Sequence, residues 1–113
     1  MAKAEKLIVI TSVSSEDIAI QMAQELLETF NAACINILPK VHSIYRWKGR
    51  ITDDFESVLV IKTRSDRFDE VKKVIEATSG YELPEILAIS VKKGSREFLE
   101  WIDVNLEPSE EAE

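Results

Sequence analysis

Few side chains in this sequence are suited to chemistry, and most are spaced so that they cannot meet within one chain. The soft and borderline metal ligands are one cysteine, Cys34, and one histidine, His42. A closed zinc site needs four such donors, so one chain alone does not build it. Cys34 stands between Ala33 and Ile35, where a thiol is either a small apolar filler or a functional group. His42 reads as a partly exposed histidine rather than a ligand. The two lie in strand-like sequence about 25 Å apart when extended, too far for a Cys–His couple. No serine carries a nucleophile-elbow pattern, and no glycine-rich phosphate loop is present. These residues point away from an enzyme.

Two charged residues and four aromatics complete the set. Glu56 and Lys62 fall on the same face of one strand but about 20 Å apart, so each needs a partner from another strand or another subunit. Burying Lys62 unpaired beside Val60 and Ile61 is costly. It therefore either reaches water at the end of a sheet or serves a pocket. Tyr45, Trp47, Tyr81 and Trp101 are amphipathic aromatics. They suit packing in a core or subunit interface, or the lining of a small-molecule cleft between subunits.

The chain that must position them has 113 residues, enough for one domain over 1–113 with one modest core. A hydrophobic fraction of 45% supplies the core, and only 3 Gly and 3 Pro interrupt regular structure. The net charge of −7 argues against sequence-independent nucleic-acid binding and mildly favours cations. No apolar run approaches a membrane span. The opening segment has no long apolar stretch, so no signal peptide is expected. The single cysteine excludes an intrachain disulfide and suits a reducing, cytoplasmic compartment. Residues 1–5 are expected to form a tail, and 107–113 an acidic, flexible one.

Patterning gives the element order. Leu7 to Ile10 reads as a buried strand. Ser14 or Ser15 caps a helix with Glu16 and Asp17 in its first turn. Its apolar face is Ile18, Ala19, Met22, Ala23, Leu26, Leu27 and Phe30, and Asn31 is the expected stop. Ala33 to Leu38 reads as a second strand that Pro39 interrupts with a bulge or an edge. Strand pattern resumes through Trp47, turns at Lys48-Gly49, and returns as a third strand through Thr63. Both arms of this hairpin are longer than so small a core needs, and long edges invite pairing with another chain. A second helix is expected from a Ser65 or Asp66 cap to Ser79-Gly80, with Phe68, Val71, Val74 and Ile75 inward. A fourth strand is expected over Glu85 to Val91, then a short helix with Phe98, Leu99, Ile102 and Leu106 inward. The order β-α-β-β-α-β plus a C-terminal helix predicts an α+β, ferredoxin-like split βαβ fold, with both long helices on one sheet face.

Several blocks together resemble the CutA family, the divalent-cation tolerance proteins. They are Ala32 to Pro39, Ser43-Ile44-Tyr45-Arg46-Trp47-Lys48-Gly49, Glu56 with Leu59, Lys62 and Thr63, Tyr81 with Pro84-Glu85-Ile86, and Gly94 with Leu99 and Trp101-Ile102. The resemblance runs from about Leu7 to about Leu106. It implies the ferredoxin-like fold and a tight homotrimer whose architecture is similar to PII-type signalling trimers. It implies a cytosolic role linked to copper, Cu²⁺, or another divalent cation, by metal binding or signalling rather than catalysis. It also implies a cavity near the subunit interface at the positions of Cys34, Tyr45, Trp47, Glu56, Lys62, Tyr81 and Trp101, with Cys34 the metal candidate. One departure matters: the family's His-Pro before the tyrosine of its third block is Ser79-Gly80 here. Losing that histidine counts against metal at that position. It leaves open a small-molecule or protein-interaction trimer linked only indirectly to metals.

Overall fold

A computed structural model describes residues 4–108. Residues 1–3 of the expected N-terminal tail and 109–113 of the acidic tail lie outside them. The elements are β1 (Lys6–Val13), α1 (Glu16–Glu28), β2 (Cys34–Trp47), β3 (Arg50–Arg64), α2 (Phe68–Thr78), β4 (Leu87–Ser90) and α3 (Arg96–Val104). They build one antiparallel sheet in the order β2-β3-β1-β4, the split βαβ arrangement expected from the sequence. Among the described residues no helix is long and apolar enough to cross a membrane.

Strand periodicity places the core. Leu7, Val9, Thr11 and Val13 of β1 stand opposite Thr63, Ile61, Leu59 and Ser57 of β3. This face is buried under Ala19, Met22 and Leu26 of α1 and Val71 and Ile75 of α2. The other face carries Ile8 and Ile10 with Val58, Val60 and Lys62, and continues onto Leu87 and Ile89 of β4. Leu87 and Ile89 are exposed there.

Helix ends follow local chemistry. Ser15 caps α1, its hydroxyl accepting from the Ile18 amide at 3.2 Å. The helix ends at Glu28 with Thr29 as its C-cap, ahead of the expected stop at Asn31. Phe30 takes the left-handed conformation, φ 59°, while the Asn31 and Phe30 amides donate to the carbonyls of Leu26 and Leu27. That is the Schellman pattern with phenylalanine where glycine is usual. Neither Ser65 nor Asp66 caps α2. Both lie in a 3₁₀ turn, Ser65–Arg67, and the Asp66 carboxylate is taken by the Arg64 guanidinium at 2.8 and 2.9 Å. Leu27 and Phe98, expected inward, are largely solvent-facing, because the buried stripes pass through Ala19, Met22, Ala23 and Leu26 and through Ile102. The fourth strand, Leu87–Ser90, is shorter than expected: residues 85 and 86 lie outside its register with β1, while just past its end the Val91 amide still donates to the Lys6 carbonyl at 3.0 Å.

An ion network fastens α3 to the sheet. Arg64 binds Asp66, Asp103 and Glu107, Lys6 binds Asp103 at 2.9 Å, and Arg67 reaches Glu107 at 3.1 Å. The surrounding carboxylates hold the Arg64 guanidinium still more firmly protonated than usual, against the cost of its burial. The bond from Arg64 holds the Asp66 carboxyl below its ordinary range. Glu107, the first residue of the expected acidic tail, is thus engaged.

Ile61 is fully buried between sheet and helices. Ile61→Ala is expected to cost roughly 2–5 kcal/mol. Denaturant titration checks this as a lowered midpoint at an unchanged m value.

Candidate functional site

The position of one extra residue decides which side chains meet. In β2, Leu38 pairs with Val58 but Val41 pairs with Glu56, so β2 carries a bulge at Pro39–Lys40, with Lys40 at φ 57°. Before the bulge, Cys34, Asn36 and Leu38 share the face of Lys62, Val60 and Val58. After it, the odd-numbered Val41, Ser43, Tyr45 and Trp47 take over that face, now with Glu56, Asp54, Thr52 and Arg50. The bulge therefore delivers Tyr45 and Trp47 to the carboxylate side of the hairpin. Trp47 stands just before the turn at Lys48 and Gly49, whose positive φ values of 50° and 81° make the type I′ geometry.

Tyr81 arrives from the other direction. Gly80 at φ 77° turns the chain out of α2, and the Tyr81 amide donates to the buried Ser79 hydroxyl at 3.1 Å. The Tyr81 hydroxyl then donates to Glu56 Oε2 at 2.6 Å. Together with Ser12, Ser43, Leu83, Pro84, Glu82 and Glu85 these residues line an open cleft of about 740 Å³. Four of the sequence candidates, Tyr45, Trp47, Glu56 and Tyr81, thus come together.

The cleft is rich in acceptors. Burial pushes the Tyr81 phenol well above its usual range, and the bond to Glu56 adds to the shift. Tyr45 donates its hydroxyl to Asp54, and that bond chiefly raises its pKa as well. Both phenols are spent on carboxylates. Asp54 escaped notice in the sequence, although it shares strand parity with Glu56.

The remaining candidates gather elsewhere. Cys34 is paired in register with Lys62. The Lys62 ammonium lies 5.6 Å from the Phe98 ring centroid, and Phe98 stacks on Trp101 at 5.4 Å. Cys34, Lys62 and Trp101 therefore form a second group where α3 crosses the sheet, about six strand residues, or roughly 20 Å, from Glu56. Lys62 finds an aromatic face there. His42 alternates onto the opposite side of the hairpin, held by Asp53 at 2.5 Å and stacked on Phe55 at 4.6 Å. Among the described residues no three His, Cys, Asp or Glu side chains converge as a metal site. Cys34 is a free, partly exposed thiol, and the residues of one chain do not by themselves fit a bound divalent ion.

A family model described as the CutA1 divalent ion tolerance protein matches residues 7–105. The chain belongs to this family. The divalent-cation tolerance protein CutA of Thermus thermophilus is 40% identical over 98 residues, covering 87% of this chain and 95% of that protein. A CutA1 structure from Thermus thermophilus superposes with a TM-score of 0.86 at 39% identity, covering 88% of this chain and 97% of the other. The structure described as the periplasmic divalent cation tolerance protein CutA from Archaeoglobus fulgidus gives a TM-score of 0.87 at 37% identity, covering 90% of this chain and 99% of that one. A chloroplastic CutA 1 of Oryza sativa is 32% identical over 85% of this chain and 54% of its own length. CutA1 relatives thus carry more than one compartment in their names. CutA1 is a tolerance family, not a known family of enzymes.

Replacing Glu56 by Gln removes one cause of the Tyr81 shift and leaves its burial. The Tyr81 pKa is expected to fall while staying above the ordinary value of about 10. Ultraviolet titration of tyrosinate in the parent, Glu56→Gln and Tyr81→Phe chains checks this. A Tyr81 pKa unmoved by Glu56→Gln contradicts the assigned bond.

Proposed function

We propose that this chain acts in divalent-cation tolerance as a cytoplasmic homotrimer that binds and signals rather than catalyses. The observation that carries the reading is the hairpin beyond the core. Its outer face exposes Ile44, Ile51 and Phe55 at 67%, 71% and 66%. A two-stranded hairpin is marginal on its own, and such an apolar face calls for a partner. The exposed part of the second sheet face, at Leu87 and Ile89, asks for the same. Other copies of this chain are the occupants that the reading assigns, three in all, as in PII-type trimers. The Tyr45–Trp47–Glu56–Tyr81 cleft then lies beside the subunit boundary and serves as the ligand site. The lone free thiol supports a reducing, cytoplasmic setting.

Direct metal binding is a second reading, favoured by one observation. Cys34 is partly exposed on the sheet face that carries Lys62, so a symmetry axis near it brings three thiols to one Cu²⁺ or another divalent cation. On that reading Ser79 replaces no essential ligand.

Native mass spectrometry with and without Cu²⁺ separates the two. Direct binding predicts a discrete copper count on the trimer that Cys34→Ser abolishes. A trimer that stays metal-free, or a copper count unchanged by Cys34→Ser, removes Cys34 from the account and leaves the cleft reading. Phe55→Ser is expected to weaken assembly by about 2 kcal/mol or more, roughly thirtyfold, measured by sedimentation. Assembly as tight as the parent's contradicts the hairpin's role.

A further inference from the structure

We propose that the cleft between Tyr45, Trp47 and Tyr81 takes a small organic ammonium ion. The inference rests on reading this cleft as the ligand site. Three features of the lining select the ligand's chemistry. The first is its balance of donors and acceptors. The cleft is lined by the carboxylates Glu56, Glu82 and Glu85, and both phenolic hydroxyls are committed, Tyr81 to Glu56 and Tyr45 to Asp54, which leaves Ser12 and Ser43 as the neutral side-chain hydroxyls of the lining. A carboxylate or phosphate entering here meets charge of its own sign. The one guanidinium in the lining, Arg46, alternates onto the opposite face of the strand from Tyr45 and Trp47.

The second feature is the aromatic surface. Donating a phenolic hydrogen to a carboxylate enriches the ring face that a cation prefers. Trp47 already draws one ammonium, because the Lys48 Nζ stands 5.9 Å from its ring centroid. The third is the spread of the carboxylates. Among the described residues no three acidic, His or Cys side chains converge, so a bare divalent ion lacks its shell of close oxygens. An ammonium ion needs only ring faces within about 6 Å and one or two carboxylates. Leu83 and Pro84 supply apolar surface for a short alkyl chain, and about 740 Å³ is room for a small molecule.

The test compares three probes of one size on the intact protein: butylammonium, butan-1-ol and butyrate, by calorimetric titration. Saturable binding of butylammonium is expected, with the neutral and anionic probes about tenfold weaker or more. Glu56→Gln is expected to weaken butylammonium by about tenfold at unchanged native mass. Butyrate or butan-1-ol binding as tightly as butylammonium overturns the proposal, and so does affinity that survives Glu56→Gln. A trimer that binds none of the three overturns the ligand class and leaves the trimer standing. A monomer that still prefers butylammonium supports the ligand class and overturns the trimer instead.

Discussion

The alternation of side chains along a β-strand is the constraint on which the site depends. A period of two admits no partial correction: one inserted residue moves everything beyond it to the other face. The bulge at Pro39–Lys40 is that insertion. Upstream, β2 offers Cys34 to the face of Lys62; downstream, it offers Tyr45 and Trp47 to the face of Glu56. With straight pairing, Ile44 and Arg46 would occupy that position, and an apolar side chain and a guanidinium would stand where two rings now meet a carboxylate. The unusual backbone is concentrated at the places that make this possible, Lys40 and the Lys48-Gly49 turn, with Gly80 delivering Tyr81 from the far side.

Length is the second constraint. β3 has 15 residues, about 50 Å of strand, whereas α1 has 13 residues, about 20 Å of helix. The helices therefore cover only the half of β3 from Ser57 to Arg64, and the molecule's long axis of 49 Å is set by the rest of the hairpin. What the helices leave bare is apolar on one side, through Ile44, Ile51 and Phe55, and aromatic and acidic on the other. One excess of length thus produces both a bare apolar face and a cleft. The ion network of Lys6, Arg64 and Asp103 works at the opposite end, where it fastens α3 across the sheet beside Lys62 and leaves the hairpin untouched.

Much of this was legible from residues close in sequence. Alternation through residues 41–63 and the Lys48-Gly49 turn pointed to the hairpin, the Ser14-Ser15 pair to a helix cap that Ser15 supplies, and Pro39 to a bulge or an edge, of which the structure has the bulge. Events that join distant residues were not legible. Arg64 meets Asp103 and Glu107 across 39 and 43 residues, and no local pattern announces it. The same pairing of Arg64 with Asp66 withdrew the aspartate from capping α2. Phe30 adopted the left-handed conformation because the helix geometry needed one there, against the preference of its side chain. The candidate residues split into two groups for a related reason. The sequence put Glu56 and Lys62 on one face but held no information on where Tyr81 and Trp101 would land, and each joined a different end.

On the proposed reading, other copies of this chain cover the bare half of the hairpin. Amide hydrogen exchange, followed along β2 and β3 as the protein is diluted, reads that coverage residue by residue. The account predicts amides over 43–54 protected to the same degree as those over 57–63 when assembled, with the hairpin's protection lost first as assembly is diluted away. Rapid exchange over 43–54 at every concentration, beside a protected 57–63, would contradict it: the hairpin would then stand free in solution, and the cleft would belong to a single chain.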